Sequence, residues 1–141
     1  MGDSRWVEQR REAAAVHAEE LARRKQAEHA RARALLHRFT AVALAERLPT
    51  EPLVVRGYGG RGHARSDRVG WYLRTDRTIG LGADGELYRL TAPLSLLDRV
   101  RGVSLTPMDP PAVLGAGGKD GDSVELSAAL DRLLPGWQHR G

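Results

Sequence analysis

Apolar residues fall at helical spacing before Pro49 and in short alternating runs after it, so the chain divides there. Val7, Ala14, Leu21, Leu35 and Val42 recur every seven residues, and Ala18, Ala32 and Phe39 lie four further on beside the same stripe. No Pro precedes Pro49 and no Gly follows Gly2 in this stretch, which is filled with Ala, Arg, Glu and Leu. The pattern predicts one helix over residues 1–48. Asp3 or Ser4 can serve as its N-cap. Leu48-Pro49 ends it, because Pro disfavours helical geometry in the residue before it. Such a helix runs on the order of 60 Å at 1.5 Å per residue. It is longer than the domain it serves is wide, so it must project, fold back as a hairpin or pair with another chain.

The stripe is the expected seam for a partner helix, formed by Val7, Ala14, Leu21, Leu35, Phe39 and Val42. Arg11, Lys25 and Glu28 interrupt it, and Arg23 to Arg33 is polar almost all round. Glu19–Arg23 and Glu20–Arg24 stand at the favourable i,i+4 orientation and support an exposed helix. The Leu35, Leu36, Phe39 and Val42 end is richest in large apolar residues. It is expected to pack on the domain while the first half extends, leaving Trp6 and Val7 exposed far from it.

After Pro49 the pattern becomes short strands with turn punctuation. Residues 52–56 read as a strand, 58–65 as a Gly-rich loop, and 68–74 as a half-buried strand with Val69, Trp71 and Leu73 on one side. A turn at 75–77 leads to a strand at 78–81. Asp84-Gly85 is a strong hairpin signal before the strand 86–90, and these last three strands form an antiparallel meander. Thr91 is read as the cap of a short helix with Pro93 in its first turn, Leu94, Leu97 and Val100 on one side and Gly102 as terminator. Residues 103–105 and 112–114 read as strands confined to sheet edges by Pro107, Pro110 and Pro111. Asp122 with Glu125 resembles a capping box for a helix carrying Leu126, Leu130, Leu133 and Leu134, ending at Pro135-Gly136. A competing reading makes 124–126 a brief strand and Ser127 the cap.

Charge sharpens the division. Between Arg5 and Arg47 there are ten Arg/Lys and six Asp/Glu, which accounts for the whole net charge of +4; the remainder holds twelve of each sign. The chain is a basic helical arm and a neutral remainder. With no Cys, disulfides, thiolate metal sites and a Cys nucleophile are excluded. No apolar run approaches the roughly 20 residues of a membrane span, and the Arg/Glu-rich start is not a secretory signal, so a cytoplasmic protein is expected.

Candidate chemistry is sparse. Residues 56–65 interleave Arg and Tyr with Gly, the style of flexible RNA-binding segments, though a single short copy also serves as a plain loop. That loop brings Arg61, His63 and Arg65 together as the best anion-contacting group. Residues 115–123 form a Gly-rich turn before a helix. They fail the P-loop test, because Asp120 follows Gly118-Lys119, and they lack a calcium-loop ligand ladder. His17, His29 and His37 are not at i,i+4 spacing, and no HExxH or GxSxG occurs. Asp67, Asp76 and Asp84 fall in turns, where Asp is used anyway. No metal, cofactor or catalytic constellation is called for, and a non-enzymatic protein is expected.

The charged Ala/Arg/Glu helix, the run 48–52 (LPTEP), the run 70–74 (GWYLR), the Asp84-Gly85 hairpin and the run 117–121 (GGKDG) carry a resemblance over most of the chain. In their order they resemble a group of small proteins from high-GC Actinobacteria to which no activity is attached. The resemblance implies an architecture and a bacterial cytoplasmic setting, with no site residues.

The expectation is an α+β protein, with a long charged helix at 1–48 and a small domain at 49–141. That domain holds an antiparallel sheet of four to six strands with short closing helices. Three functional classes fit. The leading one is an interaction protein whose helix pairs with a copy of itself or a partner. The second binds nucleic acid or the ribosome through Arg23, Arg24, Lys25, Arg31 and Arg33, aided by Arg61, His63 and Arg65. The third binds a small molecule, or acts on it, in a pocket beside Trp71, Tyr72 and the Gly-rich loop.

Overall fold

The computed structural model describes residues 2–110 and 122–140, and the expected strand at 112–114 and the Gly-rich turn from 115 lie outside them, as do the side chains of the Asp122–Glu125 pair. The first element is α1, Gly2–Ala45, a single unbroken helix. Asp3 lies within its first turn rather than before it. The helix stops before the Leu48-Pro49 expected from sequence. The Leu48 N–H donates to the Ala43 carbonyl (2.8 Å) and the Arg47 N–H to the Leu44 carbonyl (3.1 Å). That pair of bonds is the Schellman arrangement, which needs a left-handed residue at the position Arg47 holds. Arg47 has φ 57. Because a Cβ there costs about 1 kcal/mol, Arg47→Gly should raise the unfolding free energy by about that amount in a denaturant titration.

Four strands follow as a meander: β1 (Glu51–Gly57), β2 (His63–Tyr72), β3 (Ile79–Gly82) and β4 (Leu87–Arg89). Each pairs antiparallel with the next. The fifth, β5 (Thr91–Ala92), lies parallel beside β1 at the opposite edge, giving the order β4-β3-β2-β1-β5. The sheet is therefore mixed, not purely antiparallel. Thr91 does not cap a helix. The short α2 (Leu96–Arg101) is capped by Ser95, whose Oγ accepts from the Asp98 N–H while the Asp98 carboxylate accepts from the Ser95 N–H. Gly102 terminates it as expected. Residues 103–105 form no strand; Val103 makes one isolated bridge to Ser66. Finally α3 (Asp122–Leu133) and a 3-10 turn at Trp137–His139 close the chain, which rules out the brief strand considered at 124–126.

Strand β2 begins inside the segment expected to be loop. Its pairing with β1 shifts register between Pro52 and Val54, leaving extra residues at 66–68. Ser66 stabilises this bulge, donating to the Leu53 carbonyl (2.5 Å) and accepting from the Arg68 N–H (3.2 Å). Next to the bulge Val69 is exposed, while Trp71 and Leu73 are buried. The simple alternation read from sequence therefore fails at Val69.

Both faces of the sheet are covered. On one, Trp71, Leu73, Ile79, Leu81 and Leu87 meet Ala32, Leu36, Phe39 and Ala43 of α1 and Leu126, Ala129 and Leu130 of α3. Phe39 sits edge-on to Trp71 (ring centroids 5.9 Å apart) and to Trp137 (5.4 Å). The division at residue 48 thus separates elements, not packing: the end of α1 belongs to the domain core. On the other face Leu53, Val55, Tyr88 and Leu90 form a smaller core under Leu94, Val103 and Leu105.

The Asp84-Gly85 hairpin joins β3 to β4 and lies against His37 of α1. Gly85 has φ 85, and a Cβ there would come within 2.8 Å of His37 Nδ1, so only glycine fits. Asp84 accepts from the Glu86 N–H (3.0 Å) and from the buried Tyr88 hydroxyl (2.5 Å). Burial, and then the Asp84 carboxylate, push the Tyr88 phenol up to about 12 from 10.0. The fold favours the neutral phenol. Its contribution is intact below pH 10 and is lost as the pH rises from 10 to about 12. A tyrosinate absorbance titration should show Tyr88 ionising only near pH 12, and Tyr88→Phe should flatten the alkaline fall in stability over that window.

Candidate functional site

The seam residues separate into two sets. Phe39 is wholly buried in the chain's own core, and Leu35 and Val42 are partly buried against it, so these three are occupied. Val7, Ala14 and Leu21 remain exposed, with Leu21 at 50 %. Every residue from Asp3 to Glu28 is exposed, and His29 is the first that is not. That exposed arm is about 40 Å long. At 3.6 residues per turn, Val7, Ala14, Ala18 and Leu21 lie within about 60° of the face that carries Ala32, Phe39 and Ala43. The arm therefore prolongs the docked face into solvent, with Lys25 and Glu28 between the docked and exposed stretches. Trp6 is 62 % exposed and stacks under the Arg10 guanidinium, one turn on, at 5.6 Å.

The basic candidates also fall into two groups. Arg23, Arg24, Lys25 and Arg31 are exposed on α1, and Arg33 pairs with Asp109 at 3.2 Å. Their spacing spreads them around the whole helix rather than along one face. Arg61, His63 and Arg65 are all exposed, but His63 and Arg65 belong to β2, not to a loop. In register, His63 faces Arg56 and Arg65 faces Val54 on β1. Arg99 of α2 donates to the Arg61 carbonyl at 3.3 Å. Arg56, Arg61, Arg65 and Arg99 thus gather at one end of the sheet and make no ion pair among the described residues. No described contact joins this group to the basic residues of α1. Beside it the apolar side of α2 is bare, with Leu96 and Leu97 exposed and Val100 84 % exposed.

The pocket sought beside Trp71 exists, though without the Gly-rich loop. A cleft of ≈ 340 Å³ opens between the end of α1, the start of β1, the turn after β2 and the end of α3. Trp71, Tyr72, Arg74, Arg77, Arg132 and Glu51 line it. No local pattern in the sequence signals this grouping, because its arginines come from two separate elements. The Gly-rich turn instead edges a shallow depression with Pro93 and Leu94.

The carboxylates considered for acid–base chemistry serve locally. Asp67 accepts from the Leu105 N–H (3.0 Å), Asp76 from the Thr78 hydroxyl (2.6 Å), and Asp84 from Tyr88. The Thr78 hydroxyl, chiefly, holds the Asp76 carboxyl below its ordinary range, with help from Arg74. His37 stands 3.7 Å from Glu86. Among the described residues no three His, Cys, Asp or Glu converge as a metal site, and no helix is long and apolar enough to cross a membrane. Compared with family models, curated proteins and solved structures, the chain finds no match.

Proposed function

We propose that this is a non-enzymatic interaction protein whose exposed helical arm, residues 3–28, pairs with the same arm of a second copy. The observation that carries this reading is the contrast along one helix face: buried from Ala32 to Ala43, exposed at Val7, Ala14 and Leu21. An isolated helix gains little stability in water from propensity alone, and burying an apolar stripe supplies what it lacks. The pairing is antiparallel. A parallel, in-register partner would set Arg11 against Arg11 and Lys25 against Lys25, and would run along the face into the domain that covers Phe39. An antiparallel partner confined to residues 3–28 meets neither obstacle and holds the two domains at opposite ends.

The chain has no Cys, so single introduced thiols report the orientation cleanly. Under mild oxidation, Val7→Cys and Leu21→Cys chains should cross-link to each other when mixed. A Val7→Cys chain that instead cross-links to itself, and not to Leu21→Cys, would contradict the arrangement.

A second reading, nucleic-acid binding, is supported by the gathering of Arg56, Arg61, Arg65 and Arg99 at one sheet end without ion-pair partners among the described residues. Its mark is a binding constant that falls steeply with salt and weakens when Arg56 and Arg65 are replaced by Ala.

A further inference from the structure

The cleft beside Trp71 has a donor set that the helical arm does not use. Arg132 is fixed by the bond from its Nη2 to the Leu73 carbonyl (2.7 Å), and a guanidinium so held keeps further N–H donors. The Arg77 guanidinium lies over the Tyr72 ring at 5.0 Å. Neither makes an ion pair among the described residues. Arg74 does, with Asp76 at 3.5 Å. The Glu51 carboxylate also borders the cleft, so the guanidiniums outnumber the carboxylates around it. Trp71 is 4 % exposed, and its indole N–H is buried without an acceptor. A buried donor left unpaired costs on the order of 1–3 kcal/mol.

The backbone adds a separate observation. The Arg77 N–H closes the turn onto the Arg74 carbonyl (3.0 Å), and Arg77 has φ 60. A left-handed residue after such a turn is a glycine position in hairpins. Here it carries an arginine, and the unfavourable conformation sets that guanidinium at the cleft.

We propose that this cleft is a binding site for a small phosphate- or carboxylate-bearing molecule. Arg77 and Arg132 supply the charge, and Trp71 lines the cleft wall as a reporter of what enters. Glu51 limits the site to ligands whose anionic end approaches from the arginine side. The cleft shares no residue with the arm.

The test follows the indole N–H resonances of the full-length 15N-labelled protein, with Trp71 assigned through Trp71→Phe, during titration with inorganic phosphate and, separately, acetate. A saturable shift of the Trp71 signal is expected with at least one of them. Saturation by phosphate alone assigns a phosphoryl ligand, and by acetate alone a carboxylate. Arg77→Gly should weaken the effect at least tenfold while leaving the melting temperature unchanged or higher, since glycine relieves the left-handed backbone. Arg132→Gln should weaken it as well. No saturable shift with either anion, or an equal shift in Arg77→Gly, overturns the proposal.

Discussion

Replacing Phe39 with Ala should lower the unfolding free energy by about 3–5 kcal/mol, the range for emptying a buried aromatic site. The side chain is fully buried and edge-on to both Trp71 and Trp137, so its removal unmakes two aromatic contacts and leaves a hole where α1, the sheet and the C-terminal turn meet. Backbone elements from three regions of the chain line that hole, and they cannot all move in to fill it. For a domain of this size the loss is a large share of its stability. Denaturant unfolding followed by Trp fluorescence measures it. A loss below about 1 kcal/mol would mean that the end of α1 leans on the domain rather than belonging to its core.

The second large effect separates association from folding. Val7→Glu with Leu21→Glu should abolish self-association and leave the melting temperature nearly unchanged. Both positions are exposed within one chain, where substitutions cost about 0.5 kcal/mol or less. Across a paired seam each would bury a carboxylate against apolar residues, which is far more costly. Phe39→Ala and the double Glu variant lie on the same helix face, yet the first should destabilise the domain and the second should only separate the paired copies. If the double variant unfolds at lower temperature and keeps its mass, the arm is serving its own chain.

Much of the architecture was legible because strong local signals agreed with tertiary need. The Ala/Arg/Glu stretch made α1, the large apolar residues at 35–42 marked its docked end, and Asp84-Gly85 placed the hairpin. What was hidden depended on contacts between distant residues. The two residues of β5 carry no strand signal, and their parallel pairing follows from where Leu90 enters the second core. Ser95 with Asp98 was a capping box in plain sight, but Pro93 drew the helix start forward along the chain, ahead of its true cap. The start of β2 was obscured by glycines that form a tight turn instead of a long loop. At Leu35, Phe39 and Val42 the seven-residue recurrence does not by itself distinguish a partner helix from the chain's own sheet, and the density of large apolar residues there is what marks docking. Trp71 and Tyr72 marked the neighbourhood of the cleft, but its arginine set had no sequence signature, because Arg74 and Arg77 share a cleft with Arg132 only after α3 has folded back.

The most direct test of the central claim is the solution mass of the full-length chain by light scattering, over a range of concentrations and at low and high salt. Pairing through an apolar stripe predicts twice the 15.5 kDa of one chain, held at high salt and lost on dilution or in the Val7→Glu, Leu21→Glu variant. A mass of 15.5 kDa at every concentration would contradict it.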